Sequence, residues 1–99
     1  MPRPRFTSPL DRLGYAVHLQ RARLRISQVE AAKRAGMHRN YVGAIERGEI
    51  NPTYETLLRL ADGLDLPLHV LVKQATSIRE IEPVRRRRRR SQPAASGTS

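Results

Sequence analysis

The chain has no cysteine and no tryptophan, and its aromatic side chains are one phenylalanine and three tyrosines. Without cysteine there is no disulfide and no thiolate metal site, which fits a reducing cytoplasm. The three histidines, His18, His38 and His69, do not share ligand spacing, so no metal site is expected. No apolar run approaches the ~20 residues that a membrane helix needs. The opening stretch MPRPRFTSPLDRLG carries charge but no apolar segment, and so does not read as a signal peptide. Nucleophile–base pairs, phosphate loops and paired carboxylates are missing too, so neither catalysis nor a cofactor is expected. Ser8 and Ser27 are accounted for as helix caps.

Acidic residues are also scarce: nine stand against nineteen Lys and Arg, a net charge of +10. Six of the bases form the run Arg85 to Arg90. Residues 1–75 hold twelve bases and seven acids, and keep +5 without that run. A body that is basic in its own right suits a polyanionic partner such as nucleic acid, although charge speaks to partners and not to fold.

Local signals divide the chain into helices. Residues 1–7 carry two prolines and two arginines and read as a flexible basic arm. Ser8-Pro9-Leu10-Asp11 has the pattern of a helix start, with serine as N-cap and proline in the first turn. Leu10, Leu13, Val17 and Leu24 then recur at helical spacing with Arg21 on the same stripe, giving a first helix over about 9–23. Ser27-Gln28-Val29-Glu30 is a capping box opening a second helix over 28–35, which Gly36 stops. A third helix follows His38 over about 39–47 and ends at Gly48. Asn51-Pro52-Thr53 is a turn and cap before a fourth helix over 54–63, carried by Leu57, Leu60, Ala61 and Leu64. Pro67 separates it from a short fifth helix over 68–74. From Thr76 the pattern fades, and VRRRRRRSQPAASGTS has nothing to bury, so residues 76–99 are expected to be a disordered Arg-rich tail after a folded domain over 8–75. The class is all-α: a compact five-helix body with a small aliphatic core, which oligomerisation would help.

Two short helices joined through a glycine make a helix-turn-helix. Residues 13 to 72 resemble the lambda-repressor-like helix-turn-helix family, also called the Cro/repressor or XRE type. The residues that carry the resemblance are Leu13-Gly14, Arg21, Ile26-Ser27-Gln28, Ala32, Gly36, Tyr41-Val42, Ile45-Glu46-Arg47-Gly48, Asn51-Pro52-Thr53, and Leu57 with Leu60-Ala61 and Leu64. The resemblance implies that the third helix enters the DNA major groove, and places base contacts on His38, Arg39, Asn40, Tyr41 and Ala44. The side chains suit this: Arg39 can give two hydrogen bonds to guanine and Asn40 can pair bidentately with adenine, while Ala44 reaches at most a thymine methyl. Gln28, at the start of the second helix, matches the family's phosphate-binding glutamine. Arg47 is placed for a phosphate as well, and Arg23, Arg25, Lys33 and Arg34 are further phosphate candidates. The resemblance also pairs Arg21 with Glu46 as a partly buried structural ion pair. Three positions depart from the family: Ala31 stands for a bulky leucine, so the second helix buries less. Arg25 stands for a glycine-like residue, and His38 for a Ser or Thr cap.

Plainer readings stand beside these. Arg39 and Asn40 could be solvated surface, His38 a cap, Tyr41 core packing, and Gln28 plain helix surface. Leu66, Leu68, Val70, Leu71 and Val72 exceed one helical face; the plainer reading closes the core with all of them, and the expectation is that Leu66, Leu68, Val70 and Leu71 form a homodimer interface. The expected partners are double-stranded DNA and a second copy of the chain, with no membrane and no small-molecule effector. The function so implied is a cytoplasmic, sequence-specific transcriptional regulator, a repressor or autoregulator. The Arg39–Tyr41 pattern also resembles restriction–modification controller proteins. Alternatives are non-specific nucleic-acid or nucleoid binding through the arginine run, and an antitoxin- or controller-type protein-interaction module.

Overall fold

The computed structural model describes residues 8–78. The proposed N-terminal arm, and the tail with its arginine run, lie outside the described residues. Five α-helices follow one another: α1 Pro9–Leu24, α2 Gln28–Ala35, α3 Arg39–Glu46, α4 Tyr54–Gly63 and α5 Leu68–Ser77. Among the described residues there is no strand, and no helix long and apolar enough to cross a membrane.

Helix starts follow the local chemistry. Ser8, Ser27 and Thr53 accept from the backbone N–H three residues on, at 3.2, 3.0 and 3.1 Å. Each removes one of the orphan donors at a helix start. His38 caps α3 in the same sense: its Nδ1 accepts from the Asn40 N–H at 3.0 Å. The capping box on α2 goes only half-way. Ser27 plays its part, but Glu30 is drawn to Arg34 one turn on, at 3.0 Å, where a cation competes with the neutral N–H of Ser27. Helix α2 closes on Gly36 in the left-handed region, at φ 70°. The corner after α1 uses Arg25 in that same region, at φ 58°, where an L side chain costs about 1–2 kcal/mol.

α1 packs on α3 and α5, α2 on α3 and α4, and α4 on α5. Val17, Val42, Ile45, Leu60, Leu64 and Leu71 are the largest fully buried side chains, each contributing about 1.5–3 kcal/mol. Leu71 therefore corrects the interface expectation: at 0% exposure it belongs to the protomer's own core and has no surface to offer a second copy. α5 also runs past its expected end at Gln74, so the tail does not begin at Thr76. Ala75 is buried, Ile78 packs on the core, and the hydroxyls of Thr76 and Ser77 donate to the Lys73 carbonyl at 3.1 and 2.7 Å.

Small residues let the helices close up where bulk is missing. The buried positions of α2 are all alanine, namely Ala31, Ala32 and Ala35. Opposite them, a Cβ on Gly63 would come within 2.9 Å of the Ala35 nitrogen, so α4 lies directly on the α2 backbone. Between α1 and α3 the same role falls to Gly14, where a Cβ would collide with the carbonyls of Ile45 and Glu46. Gly43, inside α3, differs. Its Cβ would meet the flexible end of Arg47 at 3.1 Å and Gln28 Oε1 at 3.5 Å.

These two glycines should respond oppositely to alanine. Gly14→Ala forces backbone against backbone and is expected to destabilise by roughly 1–3 kcal/mol. Gly43→Ala gains helix propensity against yielding neighbours and is expected to stabilise by up to about 1 kcal/mol. Denaturant melts of both variants check the contrast.

Candidate nucleic-acid interface

α3 is divided along its length. Val42, Gly43 and Ile45 are buried, whereas His38, Arg39, Asn40 and Tyr41 at its start are exposed and Ala44 is half-buried. Four of the five predicted base-contact positions thus fall at the start of a single helix, with Ala44 one turn on from Asn40. The side chains of Arg39 and Asn40 make no hydrogen bond to any described residue. They remain available as a forked donor and as a paired donor and acceptor. The His38 cap uses Nδ1 as acceptor, so Nε2 carries the ring proton. Lys33 joins this group: with His38 and Arg39 it rims a shallow hollow floored by Val29, Ala32 and Met37.

The remaining cations are arranged less uniformly. Arg47, the C-cap of α3, is exposed but pairs with Glu49 through Nε at 2.8 Å and Nη2 at 3.2 Å. That pair raises the Arg47 guanidinium above its ordinary pKa and holds the Glu49 carboxyl below its own. Arg34 is engaged by Glu30. Arg25 sits exposed at the corner between α1 and α2. Arg23 is not brought to this side; its Nη1 donates to Gln20 on its own helix and to Gln74 on α5. Among the described residues no cluster of His, Asp or Glu could hold a metal ion.

Beneath α3 lies the ion pair of Arg21 and Glu46. Arg21 Nε donates to Glu46 Oε2 at 2.7 Å and Nη2 to Oε1 at 3.1 Å, a two-pronged contact with side-chain exposures of 17% and 8%. The hydrogen bond to Glu46, more than its charge, raises the Arg21 guanidinium above its ordinary pKa. Arg21 Nη1 also donates to the Ile26 carbonyl at 3.0 Å, which ties in the α1–α2 corner. Sequence reasoning missed two members of this cluster. Gln28 Nε2 donates to Glu46 Oε1 at 3.1 Å, and His18 Nδ1 stands 3.7 Å from the same oxygen. Gln28 lies 18 residues from Glu46, and no local periodicity links them.

The interface candidates on and just before α5 separate. Leu66 and Leu68 are partly buried and pack on the protomer's own core, Leu71 is inside it, and Val70 is half-buried. Val72 is 41% exposed.

The chain is similar to known proteins. A family model described as helix-turn-helix matches residues 17–71. The chain is 37% identical over 71 residues to the ImmF control region 10 kDa protein of Bacillus phage phi105, a match covering 72% of this chain and 77% of that protein. It is 31% identical over 68 residues to the immunity repressor protein of the same phage, covering 69% of this chain but only 47% of the repressor. The chain thus spans about half the length of that relative. Among solved structures, the restriction–modification controller protein C.AhdI from Aeromonas hydrophila is similar, with a TM-score of 0.61 and 34% identity over 63% of this chain and 94% of that one.

The ion pair should behave as an architectural element. Arg21→Ala or Glu46→Ala, each stranding one charge, is expected to cost roughly 3 kcal/mol. Replacing both, as Arg21→Met with Glu46→Leu, should recover most of that loss in urea denaturation.

Proposed function

We propose a function that starts from one premise: the chain belongs to the lambda-repressor-like, XRE-type helix-turn-helix family of DNA-binding regulators. The protein is a sequence-specific transcriptional regulator, a repressor or autoregulator, that acts as a homodimer on double-stranded DNA in the cytoplasm. One observation carries this reading. A capped helix, fixed from behind by a buried ion pair, presents Arg39 and Asn40 with unused hydrogen-bonding groups at its exposed start.

An α-helix fits the major groove, and residues at its N-terminal end reach base edges. In this reading Arg39 reads guanine, Asn40 reads adenine, His38 donates from Nε2, Tyr41 contacts a base or phosphate, and Ala44 lies against a thymine methyl. Gln28 and Arg47 hold the phosphates on either side, with Lys33, Arg34 and Arg25 adding positive potential. Arg23 is a weaker phosphate candidate because it is occupied on the α5 side. The second copy docks on the outer face of α5, where Leu68 and Val72, one turn apart, share a side, with the partly exposed Leu66 just before the helix; Val70 lies on the other side, toward α1. A two-fold dimer then places two α3 helices on two half-sites. The names of the relatives, an immunity repressor and a restriction–modification controller, agree with regulation of transcription.

Selection from a random duplex pool tests this. The full chain is compared with Arg39→Ala and with a chain whose Arg85 to Arg90 are all glutamine. Both the full chain and the glutamine chain should enrich the same two-fold symmetric motif. Arg39→Ala should lose preference at one base pair per half-site, with affinity lower by roughly 5- to 150-fold. Binding without a motif, abolished in the glutamine chain, would instead make the arginine run the function. Glu49→Gln should release Arg47 and raise affinity for the selected site by roughly two- to five-fold, with a steeper salt dependence in fluorescence-anisotropy titrations.

A further inference from the structure

We propose that Glu46 is a positioning residue for DNA binding, acting through Gln28; this rests on the reading of Gln28 as a phosphate contact. Gln28 is the first residue of α2, beside the backbone N–H groups that lack intrahelical partners. Left free, a glutamine side chain samples many rotamers, and a phosphate must order it on binding. Here it is already ordered. Nε2 donates to Glu46 Oε1 at 3.1 Å. A carboxylate only accepts, so the nitrogen end of the amide is the end held at Glu46. One further N–H of that nitrogen remains, and a phosphate, which also only accepts, is its natural partner.

Two other observations support the same arrangement. The amide lies along α3: its Oε1 stands 3.5 Å from where a Cβ on Gly43 would be, an ordinary van der Waals separation, so the arrangement holds with glycine or alanine there. The carboxylate is itself immobilised by both prongs of Arg21, at 2.7 and 3.1 Å. Arg21 also offsets the negative charge that would otherwise oppose a phosphate. The three residues form a relay from α1 through α3 to α2, and the docking of α3 against α1 is coupled to the phosphate grip at the start of α2.

A binding cycle in the full chain, on the duplex enriched in the selection experiment, tests the relay. Gln28→Ala should weaken binding by roughly ten-fold, the scale of one hydrogen bond to a charged group. Arg21→Met with Glu46→Leu, which removes the acceptor without stranding a charge, should weaken it similarly. All three changes together should bind no more weakly than Gln28→Ala alone. If the losses multiply, Glu46 acts only on the fold and the proposal is overturned. It is overturned equally if Gln28→Ala binds as well as the parent. A selection that enriches no motif defeats the DNA reading itself, and so is distinct from both. Should the Met/Leu chain fail to fold, Glu46→Asp replaces it in the cycle, keeping the charge near Arg21 while shortening the reach to Gln28. The side-chain amide NMR signal of Gln28 in the free protein gives a readout that mere destabilisation does not move. It should be distinct in the parent and averaged in Glu46→Asp; an unchanged signal overturns the proposal.

Discussion

The two-pronged contact of Arg21 with Glu46 is the constraint on which the rest of the structure depends. It joins α1 to the last turn of α3, and through the Ile26 carbonyl it also secures the corner into α2. A helix of eight residues is marginal by itself and draws its stability from what it packs on. α3 has Val42 and Ile45 for this on one side and the ion pair at its end. A buried pair of this kind adds little net stability relative to a good apolar contact, but it fixes geometry, because one partner without the other is expensive. The price is sensitivity: three helices share one carboxylate.

Close approach of backbones is the second theme. Gly14 brings α1 against the end of α3, and Gly63 brings α4 against α2. Ala35 is the residue that meets Gly63, and with Ala31 one turn before it the buried face of α2 carries no bulk, so the helices come together. The core is small and aliphatic as a result, and the polar front of α3 sits on a scaffold with little room to shift. That rigidity suits a surface that has to match a groove.

Much of the fold was legible in the sequence because its signals are local. Ser8-Pro9, Ser27, Gly36 and the Asn51-Pro52-Thr53 turn each act within four residues, and the observed helices begin or end where these signals lie. The end of α5 was harder to read, since Ala75 and Ile78 count only once the core they touch exists. Sequence alone places Leu71 at the interface for the same reason: an apolar residue on a crowded helix can face its own core or a second copy, and only packing decides. Glu30 could serve Ser27 or Arg34, and the cation won. Of the site, the exposed start of α3 was visible from residue type together with family resemblance. The attachment of Gln28 to Glu46 was not, because it joins two helices across a tertiary contact with no spacing rule. Arg21 and Glu46 were paired by resemblance alone, 25 residues apart.

His38 has one further consequence, for how such a protein can diverge. Its ring works at both ends: Nδ1 closes the start of α3 while Nε2 keeps a proton to offer outward. In the proposed reading, a lineage that changed its DNA preference through this position would have few routes. Serine, threonine, aspartate or asparagine would keep the cap but shorten the reach, and a long basic side chain would keep the reach but open the helix. Divergence is freer at Arg39 and Asn40, whose side chains hold nothing else in place. In the proposed reading, position 38 is held to residues that can cap the helix, while positions 39 and 40 are free to carry the variation in what is read.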